Sequence, residues 1–109
     1  MKILVLKKVQ QYLESLKIIL FEKEYFSFED SAQKYVDDLF DDIIENLPKY
    51  PMKLAPKYFD KYGKGMYYVV FRKNKHTHWY VFFKIDRKYG EEIYKIRYIG
   101  NNHTVAQHL

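Results

Sequence analysis

The chain has 109 residues, of which 48% are apolar and 19% aromatic, and its formal net charge is +5. This length and composition predict one domain, residues 1–109, with its own core, and argue against intrinsic disorder. The absence of cysteine excludes disulfides and cysteine-ligated metal sites. Because the N-terminal apolar run is too short for a secretory leader or a bilayer span, we expect a cytoplasmic protein with no membrane partner.

The charge is unevenly distributed along the chain. Between Phe28 and Leu47, seven acidic residues accompany one lysine, a balance of −6. Between Lys53 and Leu109, twelve basic residues accompany four acidic ones, a balance of +8. The C-terminal segment is therefore the one expected to attract phosphate groups.

The first third of the chain predicts a strand followed by a helix. The apolar run Ile3–Leu6 is typical of a short edge strand. From about Lys7 to Lys23, apolar residues recur at three- and four-residue spacing with polar residues between them. That period predicts an amphipathic helix.

A second helix is predicted from Phe28 to Leu47, ended by Pro48. Ser27 with Asp30 three residues later resembles a capping box at its start. The acidic residues at 37, 38, 41, 42 and 45 lie opposite its apolar stripe. A carboxylate row of this kind could bind a cation or act in catalysis, but it is more typical of a solvated helix face.

The remainder of the chain predicts a loop and then an antiparallel meander. Residues 49–65 contain four of the prolines and glycines that interrupt regular structure, Pro51, Pro56, Gly63 and Gly65, with one helical turn expected near Pro56–Lys61. Apolar and aromatic residues then alternate with period two. The predicted strands are 66–73, 77–86 and 92–99, with hairpin turns at 73–76 and 87–90.

Alternation in the central strand separates two faces of the predicted sheet. Trp79, Val81, Phe83 and Ile85 form the face expected to meet the helices; His78, Tyr80, Phe82 and Lys84 form the other, which is aromatic and charged. The predicted fold class is α+β: a short N-terminal strand and a two-helix hairpin packed on one face of an antiparallel meander.

Cofactor and metal motifs are missing from this pattern. The four histidines lie at 76, 78, 103 and 108. They are not spaced like metal ligands on a helix, and no carboxylate stands at a spacing typical of a metal-binding motif. Glycine motifs for phosphate or dinucleotide binding are absent as well. We therefore expect no metal and no small-molecule cofactor.

Basic residues interleaved with aromatics are the remaining chemical signal. Lys53, Lys57, Arg72 and Arg97, with tyrosines nearby, are suited to contact phosphates and stack bases of single-stranded RNA. The alternative is that tyrosine simply favours strands and lysine fills the surface. His103, in the C-terminal stretch IGNNHTV, is either a solvated terminal histidine or a proton carrier near neutral pH.

The order of elements resembles the RelE/ParE toxin superfamily of bacterial type II toxin–antitoxin systems. The resemblance rests on the second helix SAQKYVDDLFDDIIENLP and on the strands MYYVVFRK, THWYVFFKI and IYKIRYIGNNH, and it covers nearly the whole chain. In that family the last strand commonly ends in a glycine-containing turn followed by Arg, Lys or His. IGNNHTV falls at this position.

The resemblance implies a toxin that a cognate antitoxin protein holds inactive. Its ribosome-dependent branch cleaves mRNA without a metal, by attack of the 2′-hydroxyl on the adjacent phosphate. Carried onto this chain, the resemblance implies a catalytic set of Arg72 and Arg97 as phosphate clamps, His103 as acid or base, and Tyr80 as a stacking or orienting group. The implied RNA contacts are Lys53, Lys57, Tyr68, His78, Asn101 and Asn102.

Two alternatives stay open. The family's other branch binds and inhibits DNA gyrase without a nuclease centre, and a degenerate member would retain antitoxin binding alone. Asn101 and Asn102 stand where active nucleases of the ribosome-dependent branch tend to place Arg and Lys residues. Asparagine can hydrogen-bond RNA but cannot neutralise the charge of a phosphorane intermediate.

Overall fold

The computed structural model describes residues 1–23 and 27–109. Strand β1, Lys2–Val5, leads directly into helix α1, Lys7–Glu22. Both elements were predicted within one or two residues. Val9, Leu13 and Leu16 are the buried residues of α1, as its three- and four-residue apolar spacing requires.

Helix α2, Glu29–Asn46, buries Ala32, Val36, Leu39 and Ile43 along one stripe. The predicted capping box is wrong: Phe28 is the N-cap residue, with no side-chain capping bond. Glu29 and Asp30 fall instead in the first turn, where their charge favours the helix N-terminus. Lys17 of α1 forms an ion pair with Asp37 of α2 at 3.0 Å, so part of the acidic row helps to join the two helices.

Five strands form one mixed sheet in the order β1-β5-β4-β3-β2. Strands β3, Tyr67–Arg72, β4, His78–Lys88, and β5, Glu91–Asn101, pair antiparallel and confirm the predicted meander. Strand β1 pairs parallel to β5, so the sheet is mixed. The fifth strand, β2, Lys53–Leu54, lies in the segment predicted to be a loop; two residues are too few to show a period.

Several predicted boundaries change at the ends of β4 and β5. Strand β4 continues to Lys88, so the second hairpin turn is confined to Tyr89 and Gly90. Strand β5 continues past Ile99 to Asn101 and is followed by a short helix α3, Asn102–Val105, and a 3-10 helix, Ala106–His108. The expected C-terminal turn is therefore a folded cap, called here the C-terminal cap (residues 102–108).

The two helices cover one face of the sheet, as predicted. Trp79, Val81 and Phe83 of β4 are buried in the core that also holds the apolar stripes of α1 and α2, and Ile85 packs against its margin. The Trp79 indole N–H donates to the Tyr35 hydroxyl of α2 at 2.9 Å, which satisfies a polar group inside this core.

The opposite face, called here the second face, is closed by a second core. Phe82 is fully buried and stacks with Phe59, from a 3-10 helix at Lys57–Tyr62, with ring centroids 4.4 Å apart. Val105 of the C-terminal cap joins the same cluster. The His108 ring stacks on the Tyr58 ring with centroids 3.5 Å apart, so the C-terminal cap also contacts the 3-10 helix. The sequence predicted an aromatic and charged face, and these short segments cover its centre.

In the part of the chain that the structure describes, no helix is both long and apolar enough to cross a bilayer.

Candidate nucleic-acid interface

Asn102 fastens the C-terminal cap to the start of β4. Its side-chain oxygen accepts the backbone N–H of His78 at 3.0 Å, and its side-chain nitrogen donates to the backbone carbonyl of His76 at 3.2 Å. Asn101 caps α3, because its side-chain oxygen accepts the N–H groups of His103 and Thr104 at 2.9 and 3.2 Å. Both asparagines, predicted to contact RNA, thus hold the backbone in place.

Arg72 and His78 lie side by side at this same end of the sheet. They are register partners of β3 and β4, so both side chains project from the second face with β-carbons about 4.5–5.5 Å apart. Arg72 is exposed and His78 is half-buried. A cation next to an imidazole can hold a phosphate beside a group that transfers protons.

A groove of about 340 Å³ runs from Arg72 along the edge of β3. We call it the arginine groove; its lining is Tyr50, Pro51, Lys53, Tyr68, Val70 and Arg72. Strand β2 covers β3 only at Tyr67 and Tyr68, which leaves the rest of this edge open. Within residues 1–23 and 27–109, no carboxylate forms a salt bridge with Lys53 or Arg72. The groove therefore combines positive charge with aromatic rings.

The other predicted site residues are divided between the surface and the second core. His103 is exposed on α3, one residue after the Asn102 link to His78. Lys57 is exposed at the start of the first 3-10 helix. Tyr80 is only 8% exposed and Tyr68 9%, and both belong to the second core. Tyr80 therefore offers no ring face for a base to stack on, whereas Tyr68 contributes an edge to the arginine groove.

Arg97 is separated from Arg72. A bulge in β5 pairs Tyr98 with Phe82 and Ile96 with Phe83, so Arg97 is the inserted residue. Along β4 it lies four to five residues from the level of Arg72, about 15 Å, and it is two strands away, about 10 Å. The two arginines, both implied by the resemblance to be phosphate clamps, therefore lie too far apart to contact the same phosphate.

The bulge directs Arg97 toward a different cavity. Its Nε donates to the Tyr62 carbonyl at 2.8 Å. This approach depends on Gly63, since a Cβ there would lie 2.9 Å from the same Nε. A cavity of about 370 Å³ opens beside it, called here the tyrosine cleft. The polar side chains in its lining are Lys8, Tyr12, Tyr62, Arg97, Tyr98 and Thr104.

The tyrosines of this cleft are partly withdrawn from water. Tyr62 and Tyr98 stack with centroids 3.9 Å apart and planes 5° apart. Burial, with a smaller contribution from neighbouring Tyr62, raises the pKa of Tyr98 to about 12. Burial also raises the pKa of Tyr12. Tyrosine hydroxyls are protonated at neutral pH in any case, and these shifts extend that state to higher pH; the Tyr98 hydroxyl is also hydrogen-bonded to Tyr62.

Sequence reasoning identified three of the six residues that line the arginine groove, Lys53, Tyr68 and Arg72, but only Arg97 of the tyrosine cleft. Tyr12 belongs to the apolar period of α1, and Tyr62 falls in the segment predicted as a loop. No local spacing connects either residue to Tyr98. The cleft arises because β1 ends at Val5 and leaves the last part of β5 unpaired on that side.

Comparison with protein-family models, curated proteins and solved structures finds no match to this chain. Among the described residues, no group of three or more His, Cys, Asp or Glu side chains is arranged to hold a metal ion.

Proposed function

We propose that this chain is a toxin-type endoribonuclease that binds single-stranded mRNA in the arginine groove and is neutralised by an antitoxin. The observation that carries the proposal is the Asn102 junction. It joins the cap that bears His103 to the first residue of β4, where His78 faces Arg72. Arg72 and His78 of one hairpin thus share an end of the sheet with the cap that bears His103, which is distant in sequence.

The groove supplies what RNA binding needs. Lys53 pairs with Tyr68 and so lies four residues along β3 from Arg72, about 13 Å, which places both cations along one groove where each can contact a phosphate of the same strand. Tyr50 is exposed enough to stack on a base. Within the described part of the chain, backbone atoms of β3 beyond Tyr68 have no strand partner on this edge, and they can also bond to the ligand.

The proposed reaction needs no redox step or co-reactant. His78 takes the proton from a 2′-hydroxyl, whose oxygen attacks the neighbouring phosphorus. The bond from phosphorus to the 5′-oxygen breaks, His103 gives a proton to that oxygen, and a 2′,3′-cyclic phosphate remains. Arg72 stabilises the charge on the phosphorane. Arg97 and Tyr80, included in the implied catalytic set, have no part in this assignment.

Cleavage of mRNA in a purified translation system tests the proposal. The wild-type chain should cut ribosome-bound mRNA, and His78→Ala or His103→Ala should lower the cleavage rate by about a hundredfold or more, as expected for loss of a general acid or base. His76→Ala is the matched control: it removes an imidazole from the adjoining turn, while the backbone carbonyl that binds Asn102 remains.

Intact mRNA with every variant and with the wild type would contradict the proposal. If the wild-type chain instead blocked supercoiling by DNA gyrase, the gyrase-binding alternative would replace it. Equal cleavage by wild type, His78→Ala and His103→Ala would show that the chain is a nuclease whose catalytic site does not include these histidines.

A further inference from the structure

The tyrosine cleft lies outside the proposed nuclease site and has the features of a small-ligand site. Its volume of about 370 Å³ is within the range of sites that bind small molecules. Val9 and Ile99 provide apolar lining, and the Tyr62–Tyr98 stack provides a rigid aromatic wall. A flat aromatic ring suits such surroundings better than a flexible polar ligand does.

The charge of the cleft favours an anion. Lys8 and Arg97 enter its lining, and among the residues that the structure describes no carboxylate does. The Arg97 bond to Tyr62 uses Nε, so this bond leaves the two terminal guanidinium nitrogens uncommitted. A planar guanidinium that presents paired N–H groups is suited to a phosphate.

Two neighbouring features add donors for the same anion. The Tyr12 hydroxyl keeps its proton at neutral pH and can donate it, whereas the Tyr98 hydroxyl is already hydrogen-bonded to Tyr62. Lys8 lies in the first turn of α1, which contains no acidic residue and has no side-chain cap. The positive end of the helix dipole is therefore not offset locally by a carboxylate.

We propose that the tyrosine cleft binds a nucleotide: an aromatic base against the tyrosine and apolar lining, with its phosphate between Lys8 and Arg97. This site is independent of the proposed nuclease centre and uses none of its residues. The same chemistry can come from a free mononucleotide or from the phosphorylated end of an RNA chain.

Isothermal titration calorimetry of the full chain with adenosine monophosphate tests this proposal. Adenosine and ribose 5-phosphate, which each lack one half of the proposed ligand, should bind at least tenfold more weakly. Lys8→Gln should weaken nucleotide binding about twofold to fivefold, the size of one exposed charge contact. Lys88→Gln, an exposed charge change at the far end of the β4–β5 hairpin, should leave it unchanged.

The outcomes distinguish the two ligand sources and the two proposals. In an Arg72→Gln background, displacement of the nucleotide by a 5′-phosphorylated trinucleotide assigns the cleft to RNA ends, and no displacement assigns it to free mononucleotides. Absence of saturable binding, equal binding of the nucleotide and adenosine, or equal effects of Lys8→Gln and Lys88→Gln would overturn the proposal. None of these results depends on mRNA cleavage.

Discussion

Gly100 lies where the end of β5 passes beneath the C-terminal cap. A Cβ at this position would approach Val105 Cγ2 to 2.5 Å and the Tyr98 hydroxyl oxygen to 3.1 Å. Val105 is 1% exposed, so it has little room to move. The glycine of the C-terminal GNNH stretch is therefore required for close packing of α3 on the sheet.

Gly100→Ala should lower the free energy of unfolding by about 1–3 kcal/mol, the usual cost of overpacking a filled core. Urea denaturation followed by circular dichroism measures this change. In Gly100→Ala/Val105→Ala the clash is removed, so the double variant should lose less stability than the two single losses together. Strictly additive losses would show that the contact with Val105 is not the cause.

At the same scale, the neighbouring asparagines acquire structural roles that the sequence did not specify. A Gly-Asn-Asn-His stretch after a strand is equally typical of a turn and of an exposed polar site. The distinction depends on bonds to residues far away in sequence, such as the Asn102 bonds to His76 and His78. Of the four residues in this stretch, His103 is the exposed one, and its position is consistent with proton transfer.

Among the elements, the packing of α2 on the sheet includes one polar contact inside an apolar core. The Tyr35 hydroxyl accepts the Trp79 indole N–H, and Trp79 is 2% exposed. An indole N–H that loses its acceptor in such a place is costly, because water cannot easily replace the bond.

Tyr35→Phe should therefore lower the free energy of unfolding by about 1–2 kcal/mol while it preserves the ring. Tyr67→Phe is a matched control, since Tyr67 packs at the margin of the same core, and we expect a change below about 0.5 kcal/mol for a substitution without such a bond. Chemical denaturation of both variants gives the comparison. Equal stability of Tyr35→Phe and wild type would mean that the indole bond contributes nothing.

Long periodic elements were the ones that the sequence predicted well. Period-two alternation identified β3, β4 and β5, and period 3.6 identified both helices with their buried stripes. Short or non-local features were missed: β2 has two residues, the parallel pairing of β1 joins opposite ends of the chain, and the bulge at Arg97 depends on its partner strand. These features determine which basic residues meet, so the sequence identified candidate residues but not their grouping.

For the whole molecule, the two faces of the sheet differ in charge. Helix α2 lies on the helix-covered face, and its acidic row points away from its buried stripe. Lys53 and Arg72 line the groove at the edge of β3, and Arg72 projects from the second face. A phosphate chain is therefore expected to approach this edge from the second face and to avoid α2.

The salt dependence of RNA binding tests this arrangement most directly. Fluorescence anisotropy of a labelled single-stranded oligoribonucleotide should give a binding constant that falls as salt rises. Arg72→Gln should weaken binding and reduce the slope of log K against log salt by about 0.7, the value for one lost phosphate contact on a single strand. Lys88→Gln, an equal change in charge outside the groove, should leave the slope unaltered; identical slopes for wild type, Arg72→Gln and Lys88→Gln would contradict RNA binding in the arginine groove.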